Sequence, residues 1–250
     1  MYIYSFIFIM YNNDKILILT TTVYIDKHVA KLRQKGSLER IDAYTKAIKL
    51  WLDNTNFYIV VVDNSNYSFQ NELKDYFIKY KHRFEVVHFD ILLEPNKPNN
   101  KLNTRYLKKL KWHKKSKGML ELYSINYAYE NSTLIKDNNF EFFIKITGRY
   151  YTKEFESIMS NFNTKRYNSI RQKKDIFNRC ELVGCNKKYF PVLFNLNIDE
   201  VELPHVMYVE FIYHYRHKTK IPKDTVYMLK ELKLPWNTQR GGGGHPYEYL

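Results

Sequence analysis

The sequence predicts an α/β fold with a mostly parallel central sheet and helices on both of its faces. Apolar runs typical of buried strands alternate with amphipathic stretches typical of helices, in the order βαβαβαβ, between residues 15 and 151. The clearest run, residues 57–62, is continuously apolar, which suits a parallel strand covered on both sides. No repeat or linker follows, so we expect a single domain over residues 1–250.

The individual elements are predicted from hydrophobic periodicity and from turn residues. Strands are expected within residues 15–23, 57–66, 83–90 and 142–151, and helices over residues 37–54, 68–80 and 118–132. The polar stretch 94–117, rich in Lys and Pro, is expected to be a loop. After the fourth strand we expect a helix near 153–162, a basic loop over 163–175, a strand at 180–185, a long helix over 201–217 and a short tail.

The composition excludes several classes of protein. Aromatic residues make up 17% of the chain, which excludes a disordered protein because disordered chains are poor in aromatics. Two cysteines, Cys180 and Cys185, are too few for a disulfide framework, so we expect a reducing cytoplasmic compartment, which is the host cytoplasm if the protein is viral. The apolar start, residues 1–10, is shorter than the roughly 20 residues of a membrane span. It is either an extra strand or a leader upstream of an alternative start at Met10.

The strong basic charge is compatible with several anionic partners. Lys and Arg number 40 against 26 Asp and Glu, which gives a formal net charge of +14. Such a chain attracts nucleic acid, nucleotides or acidic surfaces. The chain is also crowded with Lys, Asn, Ile and Tyr, whose codons are AT-rich, so genome composition explains much of the charge. We therefore do not expect nucleic acid as the partner.

Polar residues follow each predicted strand and point to one ligand crevice. In a parallel sheet the carboxyl ends of the strands share an edge, and ligands bind in the crevice outside it. Asp63 at such an end can accept hydrogen bonds from a nucleobase or ribose, although a plain Asx turn explains the same residues. The side chains expected at this edge are Thr20, Thr21, Thr22, Asp63, Asn64, Ser65, Asp90, Thr147, Gly148, Arg149 and Tyr150.

Two basic motifs favour a phosphate-containing ligand. Lys117 and Gly118 open a predicted helix, and the N–H groups of a helix N-terminus bind phosphate. Lys145 and Arg149 stand four residues apart along the fourth strand, so we expect both to project to the same side and to neutralise a diphosphate leaving group. The alternative for each motif is a basic side chain on the surface.

Two further motifs lie near the C-terminus. Glu210 stands among aromatic residues in "YVEFIYHYR", and a half-buried carboxylate there suits a general base for an attacking hydroxyl. Its alternative is a structural ion pair with Arg216 or a nearby lysine. The four glycines at 241–244 are no Walker loop, because no Gly-Lys-Ser/Thr follows them. They suit a flexible lid, a backbone-lined pocket or a floppy tail.

In this order the motifs resemble nucleotide-sugar glycosyltransferases of the GT-A fold, specifically a group found in giant viruses and in bacterial surface-polysaccharide clusters. The matching features are a first strand ending in Thr, a second ending in Asp-Asn-Ser, a Lys-Gly helix start, "NYAYENS", Lys-x-Thr-Gly-Arg-Tyr at 145–150, the "YVE" helix and the glycines at 241–244. The first helix contributes Glu39, Arg40, Tyr44, Ala47, Trp51 and Leu52. The resemblance spans about residues 15 to 249.

The resemblance implies a GT-A-like, Rossmann-like fold and a glycosyltransferase activity, hexosyl or pentosyl. Residues 15–151 would bind a nucleotide-sugar donor, with a UDP-sugar as the first expectation, and residues 152–250 would face the hydroxyl of a glycan acceptor. The residues expected at the donor are Thr20, Thr21, Thr22, Arg40, Asp63, Asn64, Ser65, Lys117, Glu121, Thr147, Gly148 and Tyr150. Lys145, Arg149 and Glu210 would be catalytic, and Tyr213 and His245 would contact the acceptor.

The chain departs from the family pattern in two places. Metal-dependent members place Asp-x-Asp at the end of the fourth strand, and this sequence contains no Asp-x-Asp. Lys-x-Thr-Gly-Arg stands there instead, so we predict metal-independent transfer in which cations stabilise the leaving diphosphate, with no other cofactor. The usual Lys-Gly-x-Gly-Glu reads Lys-Gly-Met-Leu-Glu, so Glu121 keeps its place while the second glycine is lost.

Two alternatives to this enzyme remain open from the sequence. A basic nucleic-acid-binding or virion structural protein would carry clustered Arg with stacking aromatics. A catalytically inactive relative is compatible with the missing Asp-x-Asp. The sequence also leaves open whether transfer inverts or retains the anomeric configuration and whether the chain forms oligomers.

Overall fold

The computed structural model describes residues 14–25, 36–91, 117–172, 179–197, 209–238 and 247–250. Its main sheet has seven strands in the spatial order β3-β2-β1-β4-β6-β5-β7. These strands are β1 (Lys15–Thr21), β2 (Tyr58–Asp63), β3 (Phe84–His88), β4 (Phe142–Thr147), β5 (Ser169–Gln172), β6 (Leu182–Asn186) and β7 (Val226–Leu229).

The strand directions confirm the mostly parallel sheet. The pairs β1–β2, β2–β3, β1–β4 and β5–β7 are parallel, whereas β6 runs antiparallel to both of its neighbours, β4 and β5. A separate antiparallel ribbon consists of β8 (Lys233–Thr238) and β9 (Tyr247–Tyr249). The carboxyl ends of β1, β2, β3 and β4 therefore lie at one edge of the sheet.

Helices cover both faces of the sheet and create two apolar cores. They are α1 (Ser37–Asn54), α2 (Lys74–Lys79), α3 (Lys117–Asn131), α4 (Thr133–Asp137), α5 (Phe155–Ser160), α6 (Phe190–Leu193) and α7 (Val209–Thr219). On one face, Ile48 and Trp51 of α1 pack with Leu17 and Leu19 of β1. On the other, α3 and α7 pack against the alternate strand residues, such as Ile18. Because successive side chains of a strand point to opposite faces of the sheet, each central strand contributes residues to both cores.

Several predicted elements differ from the observed ones. The expected basic loop 163–175 contains β5, and the expected short tail contains β7, β8 and β9. Only one residue of β5 is a large apolar one, Ile170, so hydrogen bonds from β6 and β7 rather than hydrophobic pattern define this strand. The helix expected over 68–80 is limited to α2. The described part of the expected long helix begins at Val209. Residues 1–10, and residues 94–116 of the expected loop, lie outside the described part of the chain.

Within the described ranges, no helix is long and apolar enough to cross a lipid bilayer.

Candidate functional site

The ends of β1, β2 and β4 bring the predicted polar residues together at one edge. Thr20 pairs in register with Thr147, and Thr21 pairs with Asp63. The Gly148 N–H donates to the Thr20 carbonyl over 2.9 Å. A Cβ at position 148 would lie 2.6 Å from Thr21 Cγ2, so only glycine permits this close approach. A backbone hydrogen bond and close packing therefore hold the chain after β4 against the end of β1.

The Asp63 carboxylate holds the strand ends together. Its Oδ2 accepts hydrogen bonds from Thr21 Oγ1 (2.8 Å) and from the Val23 N–H (3.1 Å). Its Oδ1 accepts from the Ser65 N–H and Oγ (2.8 and 2.6 Å) and from the Tyr67 N–H (3.1 Å). The residue is 0% exposed. These contacts are those of an extended Asx turn, which the Asp-Asn-Ser sequence also predicts.

The neighbours of Asp63 complete this scaffold. Asn64 is buried, and its Nδ2 donates to Ser124 Oγ of α3 over 3.2 Å. Ser65 Oγ accepts hydrogen bonds from the N–H groups of Val23 and Tyr24, both at 2.9 Å. The loop after β2 is thus tied to the loop after β1 and to α3, which makes the base of the crevice rigid.

The guanidinium groups of two arginines lie close to the ring of Tyr44, next to the hydrogen-bonded loops around Asp63. The guanidinium carbons of Arg40 and Arg149 lie 5.5 and 5.8 Å from the Tyr44 ring centroid. Arg40 Nη2 donates to Tyr44 Oη (2.8 Å), and its Nε donates to the Thr22 carbonyl (2.5 Å). Burial lowers the pKa of Arg40, and the Arg149 charge lowers it further, while Tyr44 and Asp63 act in the opposite direction. Two cationic groups therefore share one small region at the β1–β4 edge.

Lys145 occupies a different environment. It is 0% exposed and points toward α3, where its Nζ forms an ion pair with Glu121 Oε2 at 2.7 Å. The same Nζ donates to Thr147 Oγ1 (3.1 Å) and to the Cys180 carbonyl (2.6 Å). The side chain is enclosed on the α3 and α7 side of the sheet.

The expectation that Lys145 and Arg149 project to the same side is wrong. β4 ends at Thr147, and residues 148 and 149 form a turn, so the two-residue alternation of a strand does not extend to Arg149. Lys145 contacts Glu121 of α3, whereas Arg149 contacts Tyr44 of α1 on the other face of the sheet.

Several ionisable groups surround the Lys145–Glu121 pair. Burial raises the pKa of Glu121, and Lys145 counteracts this, while the charges of Glu210 and Glu181 raise it further. Tyr213, whose pKa burial also raises, donates to Glu121 Oε1 over 3.5 Å. Glu210 lies half-buried in the first turn of α7. The alternative partner of Glu210, Arg216, donates to the carbonyls of residues 193 and 197.

The remaining predicted residues fall into two groups. Tyr150 is buried, and its carbonyl accepts a hydrogen bond from Trp51 Nε1 of α1 at 2.8 Å. Lys117 begins α3 but its side chain, like all of His245, lies outside the described part of the chain. Gly118 abuts the start of α7: a Cβ there would lie 2.7 Å from Val209 Cβ. Helix packing therefore requires this glycine, independently of any phosphate.

The end of β4 carries cationic side chains. Lys-x-Thr-Gly-Arg, residues 145–149, stands where the resemblance would place Asp-x-Asp, and its ammonium and guanidinium groups are not metal ligands. Within the described ranges, no group of three or more His, Cys, Asp or Glu side chains is arranged to hold a metal ion.

Two residues of α1 make polar contacts that the hydrophobic pattern of the helix does not predict. Tyr44 and Trp51 lie on the buried face of α1, yet the Tyr44 ring also contacts two arginines and Trp51 donates a hydrogen bond to the Tyr150 carbonyl. The spacing of Arg40 and Tyr44, four residues apart on one helix, is the signal that could have indicated the first contact.

Comparison with solved structures supports the fold class. The glycosyltransferase GlyE from Streptococcus pneumoniae TIGR4 matches with a TM-score of 0.51 and 8% sequence identity over 88% of this chain. The match covers 46% of the GlyE chain, so this protein spans about half the length of that structure. The likeness, together with the sheet order and directions, confirms the predicted GT-A-like α/β fold.

Two further structures match less well. They are 4-diphosphocytidyl-2C-methyl-D-erythritol synthase from Anaerococcus prevotii DSM 20548 (TM-score 0.45, 10% identity, 86% of this chain and 87% of that chain) and a nucleotide-diphospho-sugar transferase from Desulfovibrio desulfuricans G20 (TM-score 0.44, 12% identity, 87% and 80%). No protein-family model and no curated protein matches the sequence.

Proposed function

We propose that this protein is a glycosyltransferase that moves a sugar from a nucleotide diphosphate donor to a hydroxyl of a glycan acceptor. The observation that carries the proposal is the pair of guanidinium groups, Arg40 and Arg149, on the Tyr44 ring at the ends of β1 and β4. This is the edge at which open α/β sheets bind ligands. Both the α/β fold and the two guanidinium groups at this edge favour a nucleoside diphosphate as the bound anion.

In this proposal Arg149 stabilises the departing diphosphate. A guanidinium binds phosphate oxygens through two parallel hydrogen bonds, and it does so more strongly at low local dielectric. Arg149 is 6% exposed and Arg40 is 3% exposed, so both cations act from a largely water-excluded position. Side-chain cations would thus take the role of the metal ion, and transfer would need no Mn²⁺ or Mg²⁺.

Glu210 is our candidate for the general base if transfer inverts the anomeric centre. Its carboxylate lies on the α7 side of the β4 end, in the half of the chain that the resemblance assigns to the acceptor. It would take the proton of the acceptor hydroxyl as that oxygen attacks the anomeric carbon and the diphosphate leaves. Transfer with retention would not require it.

The substitution Arg149→Ala tests the proposed diphosphate contact. We expect UDP, measured by isothermal titration calorimetry, to bind this variant at least tenfold more weakly, because a charged hydrogen-bonded contact contributes roughly 1.5–3 kcal/mol. Lys153→Ala is the matched control, since it removes an exposed cation four residues further along the chain. Unchanged UDP affinity in a folded Arg149→Ala variant would remove Arg149 from the donor site.

A further inference from the structure

The Lys145 ammonium joins three elements of the fold. Its partners are Glu121 on α3 (2.7 Å), Thr147 at the end of β4 (3.1 Å) and the carbonyl of Cys180 just before β6 (2.6 Å). An ammonium has three N–H donors, and each of them has a partner here. All donors of Lys145 are therefore engaged within the protein.

This arrangement is costly to disturb. Lys145 is 0% exposed, and the Glu121 side chain is 16% exposed. If Lys145 turned toward a ligand, it would leave an uncompensated carboxylate and an unpaired carbonyl in a buried environment, which is strongly unfavourable. Direct contact between Lys145 and a diphosphate would require such a change.

The pair is well placed to act on the donor site through the backbone. Thr147, which accepts a hydrogen bond from Lys145, is followed directly by Gly148, whose N–H is bonded to the Thr20 carbonyl. The Tyr150 N–H in turn donates to the Thr147 carbonyl over 3.0 Å. Arg149 lies within this turn, so its position depends on how Thr147 is held.

We propose that Lys145 and Glu121 are a positioning pair that fixes the Thr147–Tyr150 turn and hence the Arg149 guanidinium, without contact between Lys145 and the donor. The proposal rests on the proposed function, because it assigns the diphosphate to Arg149. It replaces the expectation that Lys145 is itself a diphosphate ligand.

The substitution Glu121→Gln separates positioning from direct contact, because the two roles predict opposite effects on UDP binding. If Lys145 bound the diphosphate, removing its carboxylate partner would leave UDP affinity unchanged or increase it, since one negative charge disappears near the ligand. As a positioning pair, Glu121→Gln should weaken UDP binding roughly tenfold by displacing Arg149. Calorimetry on variants that circular dichroism shows to be folded reports affinity for the folded protein only.

Two further variants complete the experiment. Glu181→Gln changes a neighbouring carboxylate that is not among the partners of Lys145, while the Glu181 backbone carbonyl still accepts the Thr147 N–H, so this variant should bind UDP as tightly as the wild type or slightly more tightly. Glu121→Asp keeps the charge but withdraws the carboxylate by one methylene group, so it should weaken UDP binding as well, whereas direct contact by Lys145 predicts no loss. Glu121→Asp also provides the test of the positioning role if Glu121→Gln fails to fold.

The outcomes distinguish this inference from the proposed function. Wild-type affinity, or tighter binding, in folded Glu121→Gln and Glu121→Asp would overturn the positioning pair while leaving the proposed function intact. A wild-type protein that binds no nucleoside diphosphate would overturn the proposed function, and the positioning role with it. Weaker binding in both Glu121 variants, with normal binding in Glu181→Gln, supports the pair.

Discussion

Two cations four residues apart in the chain have different environments at the end of β4. Lys145 lies inside the strand and is neutralised by Glu121, whereas Arg149 lies beyond the strand and contacts Tyr44. A compact ammonium suits a closed site with three acceptors, while a planar guanidinium can contact an aromatic ring and still bind an anion. The chemistry that we propose therefore depends on Arg149, and Lys145 supports it.

A single buried residue, His217, should make the free energy of unfolding depend on pH. Its Nδ1 donates to the Tyr213 carbonyl (2.7 Å), the residue is 3% exposed, and burial, followed by the Arg171 charge, lowers its pKa from 6.5 to about 4. The unfolded chain takes up this proton below about pH 6.5, whereas the folded protein takes it up only near pH 4. His217 therefore contributes fully to the free energy of unfolding above pH 6.5, and about 3 kcal/mol of this contribution is lost as the pH falls to 4.

Urea unfolding at pH 7 and pH 4 measures this contribution. In His217→Phe the fall in unfolding free energy between the two pH values should be smaller than in the wild type. The control is His214→Phe, because His214 is only half-buried and its pKa is lowered to a lesser degree. An equal pH dependence in His217→Phe and the wild type would show that His217 does not titrate as described.

The residues also show what the sequence alone could predict. The place of Asp63, Thr147 and Arg149 at one edge followed from strand order, because each lies at or within three residues of the end of an apolar run. The pairing of Lys145 with Glu121 did not, since 24 positions separate them and only the packing of α3 on the sheet brings them together. Asp63 was expected in the donor site, but its hydrogen bonds go to the protein itself.

At the scale of elements, the turn after β4 and the contact between α3 and α7 position the site. Arg149 leaves the α3 side of the sheet because β4 ends two residues earlier. Hydrophobic pattern predicted β1, β2, β3, β4 and α1 well, since their apolar residues are continuous or periodic. It missed β5 and β7 because these short strands depend on backbone pairing with neighbours that are distant in the sequence.

The contact between α3 and α7 yields a prediction about Gly118. In Gly118→Ala the new Cβ would lie 2.7 Å from both Cβ and N of Val209, so the helices must separate. We expect a loss of about 1–3 kcal/mol in the free energy of unfolding, measured in urea. In the control Gly36→Ala, the nearest atom to the new Cβ is 4.0 Å away, so no clash arises. A Gly118→Ala variant as stable as Gly36→Ala would contradict the close helix contact.

At the scale of the whole molecule, the charge of +14 is compatible with the anionic donor that we propose for the strand edge. The excess of positive charge attracts anions from solution but does not select among them. In our proposal, selection among anions comes from the strand edge, where Asp63 holds the loops together and the guanidinium groups of Arg40 and Arg149 lie near the Tyr44 ring. The fold, by its likeness to GlyE, supplies the frame for this arrangement.

The most direct test of the central claim is thermal unfolding of the full chain with UDP-, GDP-, CMP- and dTDP-sugars, each in EDTA and in Mn²⁺. A donor at about one hundred times its Kd should stabilise the protein by about 2.7 kcal/mol and raise Tm by about 5–10 °C. We predict that at least one nucleotide sugar raises Tm equally in EDTA and in Mn²⁺. A shift with Mn²⁺ alone would contradict metal-independent binding. If duplex DNA raised Tm while no nucleotide sugar did, the account of this protein as a glycosyltransferase would be wrong.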